Sequence, residues 1–198
     1  MIVKSKHVRV SRVSQGQASS ALSSHLKYLQ YRERDPARET VEDRHLFNDE
    51  EDHFDRRAAR DELMREPAGD IYYHRIILSP AQDEPVEDWR GWTREVMRDL
   101  EDRLNHDLEW YAVQHHNTDD SHVHVVLRGT GIDRETGHEE PISLTSQDFH
   151  SMRESGREHS DYEHYHFLQE TLYDLDERDT ILHESPEHAR TDEHEIER

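Results

Sequence analysis

Three histidines, His115, His122 and His124, stand seven and then two residues apart within the stretch WYAVQHHNTDDSHVHVVLRG, Trp110 to Gly129. Side chains alternate between the faces of a β-strand, so His122 and His124 point one way while Val123, Val125 and Leu127 point the other, into a core. Between the two apolar runs, Asn117-Thr118-Asp119-Asp120 are turn formers that fold the preceding strand back antiparallel. The simplest register sets His115 across from His122, with cross-strand Cβ atoms roughly 5 Å apart. Three imidazoles then converge on one patch of sheet. They form an open site for a divalent cation, with positions left for water or substrate oxygens. With 18 histidines in 198 residues, chance His-x-His pairs are expected. The third histidine at hairpin spacing and the strict alternation with Val, Val and Leu set this pair apart. His116 falls on the other side of its strand and is not expected to be a ligand. His159, His164, His166, His183, His188 and His194 lack strand alternation and read as solvated.

The elements that would position this patch follow from periodicity. Ile2 to Val13 alternates at Val8 and Val10 and reads as a first strand; Ser14-Gln15-Gly16-Gln17 reads as a turn. A helix is expected from Ala18 to about Arg34, ended by Asp35-Pro36. Residues 36–69 are charge-dense, with helix and loop expected. Ile71 to Leu78 is apolar on both faces apart from His74 and Arg75, which suits a central strand. Pro80 to Pro85 is loop, and Val86 to Asn105 carries Trp89, Trp92, Val96, Leu100 and Leu104 at amphipathic-helix spacing. After the histidine hairpin, Thr130 to Glu140 reads as a Gly-punctuated loop. Thr145 to Tyr173 reads as two helices separated near Gly156, and from Asp174 onward acids dominate. The expectation is an α+β fold, a mainly antiparallel sheet with helices packed on one face, over residues 1–173, followed by an acidic mobile tail over 174–198.

Only 31% of the residues are hydrophobic and 36% are charged, enough for a core in about 150 of them. No apolar run is long enough to cross a membrane and no signal-peptide pattern is present, so a cytoplasmic protein without a membrane partner is expected. The absence of cysteine removes disulfides, thiolate metal sites and Cys nucleophiles. The net charge of −21 argues against nucleic acid, because phosphate binding rests on Lys and Arg. Its distribution argues back. Residues 1–38 hold eight basic side chains, Lys4, Lys6, Arg9, Arg12, Lys27, Arg32, Arg34 and Arg38, against Glu33 and Asp35, a net of +6 that leaves −27 for the rest. A solvated acidic shell keeps such a chain soluble at high ionic strength, while short-range contacts from arginine to phosphate persist.

The histidine stretch resembles the metal-binding motif of the relaxases, mobilisation nucleases within the HUH endonuclease superfamily. Their pattern of His, an Asn/Asp-Thr-Asp turn, and His-x-His leading into an apolar strand is met by His115, Asn117-Thr118-Asp119 and His122-Val123-His124-Val125-Val126-Leu127. Upstream, Tyr73-His74-Arg75-Ile76-Ile77-Leu78-Ser79-Pro80 resembles the strand before the family's long helix, and His25-Leu26-Lys27-Tyr28-Leu29 resembles the helix with the nucleophilic tyrosine. The likeness covers roughly residues 1 to 130. Some relaxases place Asn four residues after the last histidine, where this chain has Arg128.

The resemblance implies a relaxase-like two-layer sandwich and site-specific nicking of one DNA strand at a transfer origin through a 5′-phosphotyrosyl link. The implied cofactor is a divalent metal, Mg²⁺ or Mn²⁺, with Zn²⁺ or Ni²⁺ as alternatives. Implied partners are single-stranded origin DNA, accessory relaxosome proteins and a type IV secretion coupling protein. Of eight tyrosines, the resemblance selects Tyr28 as nucleophile, and the helical wheel agrees. Leu22, Leu26 and Leu29 define the buried stripe, with His25, Tyr28 and Arg32 along its flank and Tyr31 about 180° from Leu22. His25 and Arg32, one turn either side, would supply a base and a positive charge to a phenol. Asp119 would orient a histidine or accept a proton. Lys4, Lys6, Arg9, Arg12, Lys27, Arg32 and Arg34 are the expected DNA contacts. Two rivals stand beside this reading: a rolling-circle replication initiator with the same chemistry, and a non-catalytic metal-binding or interaction protein derived from such a nuclease.

Overall fold

A computed structural model describes residues 1–32, 36–37, 39–116 and 121–161. A four-stranded antiparallel sheet organises them. β1 (Ile2–Arg9), β2 (Ile71–Ser79), β4 (Trp110–His115) and β5 (His122–Arg128) lie in the order β1-β2-β5-β4, so the apolar run Ile71–Ser79 is a central strand as its composition predicts. The hairpin register sets His115 opposite His122 and Val113 opposite His124. β2 pairs with β5 through Ile77 and His124, and with β1 through Lys4 opposite Ile77 and Lys6 opposite Arg75. The period of two therefore places Lys4, Lys6, Arg75, Ile77, His115, His122 and His124 on one face of the sheet.

The α+β class and the antiparallel sheet hold. The helices, expected on one face, are divided between both. Val3, Ile76, Leu78, Val123, Val125 and Leu127 pack under α3 (Trp89–Leu104) and α4 (Ser146–Glu158), through Trp92, Val96, Leu100 and Met152. The other face carries Tyr73, Tyr111, Val113 and Val126, and is covered by Leu22, Leu26 and Leu29 of α1 (Gln15–Tyr31) and by Ala59 and Leu63 of α2 (Arg56–Leu63). Val125, Val126 and Leu127 are consecutive and all buried, so both faces of that strand need an apolar cover. Burial of each α1 leucine contributes about 1.5–3 kcal/mol, which fixes the helix across the end of the sheet that bears the histidines.

Several boundaries differ from expectation for local reasons. Ser14 to Gln17 is no turn: Ser14 is the N-cap of α1 and Gln17 closes a capping box with it. α1 stops at Tyr31 because Arg32 is extended. The charge-dense stretch holds a 3₁₀ turn at Glu42–Arg44 before α2. Thr130 to Glu140 is no simple loop, since β6 (Thr130–Asp133) and β7 (Glu139–Pro141) form a small sheet with β3 (His106–Asp107). α4 runs straight through Gly156, whose carbonyl accepts from Trp92 Nε1 at 2.8 Å. A Cβ at Gly156 would overlap Met1 Sδ and lie 3.2 Å from the Trp92 ring, so this glycine marks a close approach of neighbouring side chains and not a break. No described helix is long and apolar enough to cross a membrane. The Asn117–Asp120 turn, Arg34, the expected second helix beyond residue 161 and the acidic tail lie outside the described residues.

Candidate metal and nucleophile site

The three histidines meet as their spacing predicts. Ring centroids are 5.4 Å apart for His115 and His122, 4.7 Å for His115 and His124, and 4.9 Å for His122 and His124. One nitrogen from each ring lies within 4.8 Å of the other two. The Nε2 atoms of His122 and His124 are 3.2 Å apart. Two imidazole nitrogens bound to one cation at about 2.0–2.1 Å, at angles between square and tetrahedral, stand about 2.8–3.4 Å apart, so the observed pair fits a shared ion.

The end of α1 sets the third ligand. The last carbonyls of a helix have no partner within it, and Leu29 O accepts from His115 Nε2 at 2.8 Å. A carbonyl cannot donate, so the proton sits on Nε2 and the Nδ1 lone pair of His115 is the available ligand atom. Metal-bound histidines commonly use their second nitrogen in this way. Arg32 Nη1 now donates to that Nδ1 at 3.4 Å, a contact a cation would displace. The negative end of the α1 dipole favours positive charge at this place.

Electrostatics keep His115 and His124 neutral. Burial, then the neighbouring His115 and His122, push His124 down to about 2. His115 is lowered to about 3, chiefly by burial, with Arg44, His122 and Arg32 acting the same way. His25, whose ring is 6.4 Å from that of His124, is lowered to about 4 by burial and by Arg75. Neutral imidazoles present lone pairs to a metal without a proton to lose.

Tyr28 is 55% exposed and Tyr31 70% exposed. The Arg32 guanidinium carbon lies 5.7 Å from the Tyr28 ring centroid while the same group reaches His115, so one guanidinium bridges Tyr28 and the histidines. Tyr31 instead lies under Arg56, at 5.3 Å, on the flank the wheel assigned to solvent. Lys4 and Lys6 line the groove beside His25 and His124. Arg9 is tied to Asp70 at 3.0 Å and to His7, so it is already engaged at the far end of β1. Arg12 and Lys27 are exposed, and Asp119 and Arg34 lie outside the described residues.

His116 turns away from the cluster, as expected, and packs on Trp89 with centroids 4.8 Å apart. His159 is only partly solvated: its Nε2 lies 2.9 Å from Asp99 Oδ2. Sequence reasoning missed the support under the site. Arg44 and Glu39 form a buried pair, Arg44 Nη1 donates to Leu29 O at 3.1 Å, and the His116 N–H donates to Glu39. It also missed Arg75, whose only signal was its place as a polar residue in an apolar run. Among the described residues, two other groups with ligand chemistry, Glu42/His45/His53 and His106/Asp133/Glu140, have no fully buried member.

A family model described as relaxase, MobA/VirD2-like, nuclease domain, matches residues 28–160. No curated protein and no solved structure gives a significant match.

Proposed function

The chain belongs to the MobA/VirD2-like relaxases, and we propose that it nicks and religates one DNA strand at the transfer origin of a plasmid or integrative element. The observation that carries this reading is the cluster of His115, His122 and His124 at the end of α1, with the Arg32 guanidinium between it and Tyr28. The exposed Tyr28 hydroxyl attacks the scissile phosphorus, the bond to the 3′ oxygen breaks, and that oxygen leaves as a 3′-hydroxyl after taking a proton. The 5′ end remains on the tyrosine as a phosphodiester, so attack by a 3′-hydroxyl reverses the step and reseals the strand.

Arg32 favours the developing phenolate by its charge, since an ordinary phenol near pKa 10 is a weak nucleophile at neutral pH. His25 is neutral at that pH and can accept the phenolic proton. A divalent cation on the three histidines would neutralise charge on the non-bridging phosphate oxygens. Imidazole ligands suit Mn²⁺, Zn²⁺ or Ni²⁺ better than Mg²⁺, and Mn²⁺ or Mg²⁺ is the proposed working ion. Asp119, the accessory relaxosome proteins and the coupling protein stay part of the proposal.

The test uses single-stranded oligonucleotides tiled across the DNA flanking the gene, incubated with the protein and Mn²⁺. Cleavage of one strand at one position, with a covalent protein adduct that disappears with chelator, is expected. A set of flanking fragments that all stay intact, in Mn²⁺ and in Mg²⁺, would favour the non-catalytic rival.

A further inference from the structure

Beside the histidine cluster runs a groove of about 310 Å³ lined by Lys4, Lys6, His25, Arg75, Ile77 and His124. Among the described residues no carboxylate lines it, in a chain with 46 Asp and Glu. The larger cleft, about 550 Å³, contrasts with it: Asp49, Glu50, Glu62, Glu101, Asp107 and Glu109 line that one against Arg65 and Arg128, so carboxylates outnumber arginines there. A polyanion is repelled by the second and attracted by the first.

Arg75 is the unusual member. It lies on the central strand β2, half-buried, with Nε shut off from solvent and without a hydrogen-bond partner. Among the described residues no carboxylate pairs with it. Arg44, Arg94 and Arg103 are engaged by Glu39, Asp52 and Asp148; Arg90 and Arg128 also have an unpaired Nε, yet their terminal nitrogens pair with Asp52 and Glu139. A guanidinium left unpaired in a partly dehydrated place is costly to the fold and is the group best shaped to grip a phosphate with two parallel hydrogen bonds. Its charge reaches His25, which it helps hold neutral. Lys4 and Lys6 stand opposite Ile77 and Arg75 across β1 and β2, so the three cations follow one track that ends at His124.

We propose that this groove is the track of the DNA backbone leading to the cleaved bond, and that Arg75 is the binding residue that grips a phosphate next to the scissile one. The inference rests on the nicking reading for its substrate, yet its test needs no nicking. Binding of fluorescein-labelled oligo(dT) is measured by anisotropy in EDTA, for wild type, Arg75→Gln, Arg75→Met and the control Arg98→Gln. Arg98 is paired with Glu95 on α3, and its replacement makes the same change in net charge.

The Arg75 variants should bind at least tenfold more weakly, with the salt slope reduced by about 0.7, the value for one phosphate contact on a single strand. Arg98→Gln should bind as wild type does. Melting temperature supplies the second readout. Arg75→Met should leave it unchanged or raise it, because an unpaired guanidinium is removed from a partly buried site; a merely structural arginine would lower it. An oligonucleotide with a methylphosphonate backbone should bind wild type and Arg75→Gln alike, and excess pyrophosphate should compete only weakly, which separates a backbone track from a pocket for free phosphate. Wild-type affinity and salt slope in the Arg75 variants would overturn the groove even if the protein nicks DNA. Arg75-dependent binding without any covalent adduct would keep the groove and remove the nicking reading.

Discussion

Removing the positive half of the Glu39–Arg44 pair should loosen the histidine face from beneath. The Glu39 side chain is fully enclosed and that of Arg44 is 5% exposed, so solvent screening does little for either. Arg44 Nε donates to Glu39 Oε2 at 3.1 Å, and its Nη1 holds the Leu29 carbonyl that also orients His115. Arg44→Met keeps most of the volume but strands a buried carboxylate. Breaking a buried pair from one side costs about 3–5 kcal/mol. At about 2–4 °C per kcal/mol for a chain of this size, Tm should fall by roughly 6–20 °C. Glu39→Met strands the guanidinium at similar cost. The double variant leaves neither charge behind, so it should lose far less than the sum of the singles. Because Leu29 O loses one of its two donors, Mn²⁺ affinity in Arg44→Met should drop about tenfold to a hundredfold. Urea unfolding of the four proteins and Mn²⁺ calorimetry read both effects. Additive single costs, or a Tm unchanged in Arg44→Met, would refute the reasoning.

Other consequences can be checked independently. His122→Ala and His124→Ala should lose Mn²⁺ binding and nicking together, with His115→Ala close behind; calorimetry showing wild-type Mn²⁺ affinity in any of the three would remove that ligand. Stability should fall as pH drops from about 6.5 toward 4 in metal-free protein. Burial lowers the His74, His115 and His124 pKa values, so in this window the unfolded chain binds protons that the native state refuses, at up to about 1.4 kcal/mol per pH unit for each group. A Tm flat across that window would contradict the burial of neutral imidazoles. Added salt should raise Tm by screening the acidic surface while weakening DNA binding, so nicking should peak above the lowest salt; a monotonic fall with a salt-indifferent Tm would count against this.

The histidine register was legible because two constraints act within a few residues: a period of two and a polar turn between apolar runs. Helix α3 was legible for the same reason, through Trp89, Trp92, Val96, Leu100 and Leu104. The start of α1 carried a signal that the turn reading overlooked, since Ser14 and Gln17 have capping-box spacing. The second helical layer was also foreshadowed, by Tyr111, Val113 and Val126, apolar side chains on the histidine face that some element had to cover. What supports the site was not legible. The Leu29 carbonyl meets His115 across 86 residues, with Arg44 and Glu39 held behind it, and no local period links them. Arg75 and His74 look alike in sequence, yet His74 is satisfied by the Ile142 carbonyl on the opposite face while Arg75 is left without a partner.

The most direct measurement is the identity of the residue that carries DNA after cleavage. The covalent adduct formed with a cleaved origin oligonucleotide and Mn²⁺ is digested and its peptides sequenced by mass spectrometry. The nucleotide should sit on Tyr28, the Tyr28→Phe protein should bind DNA and form no adduct, and Tyr31→Phe should form it at the wild-type rate. An adduct on Tyr31 or any other residue, or one undiminished in Tyr28→Phe, would contradict the account of this site.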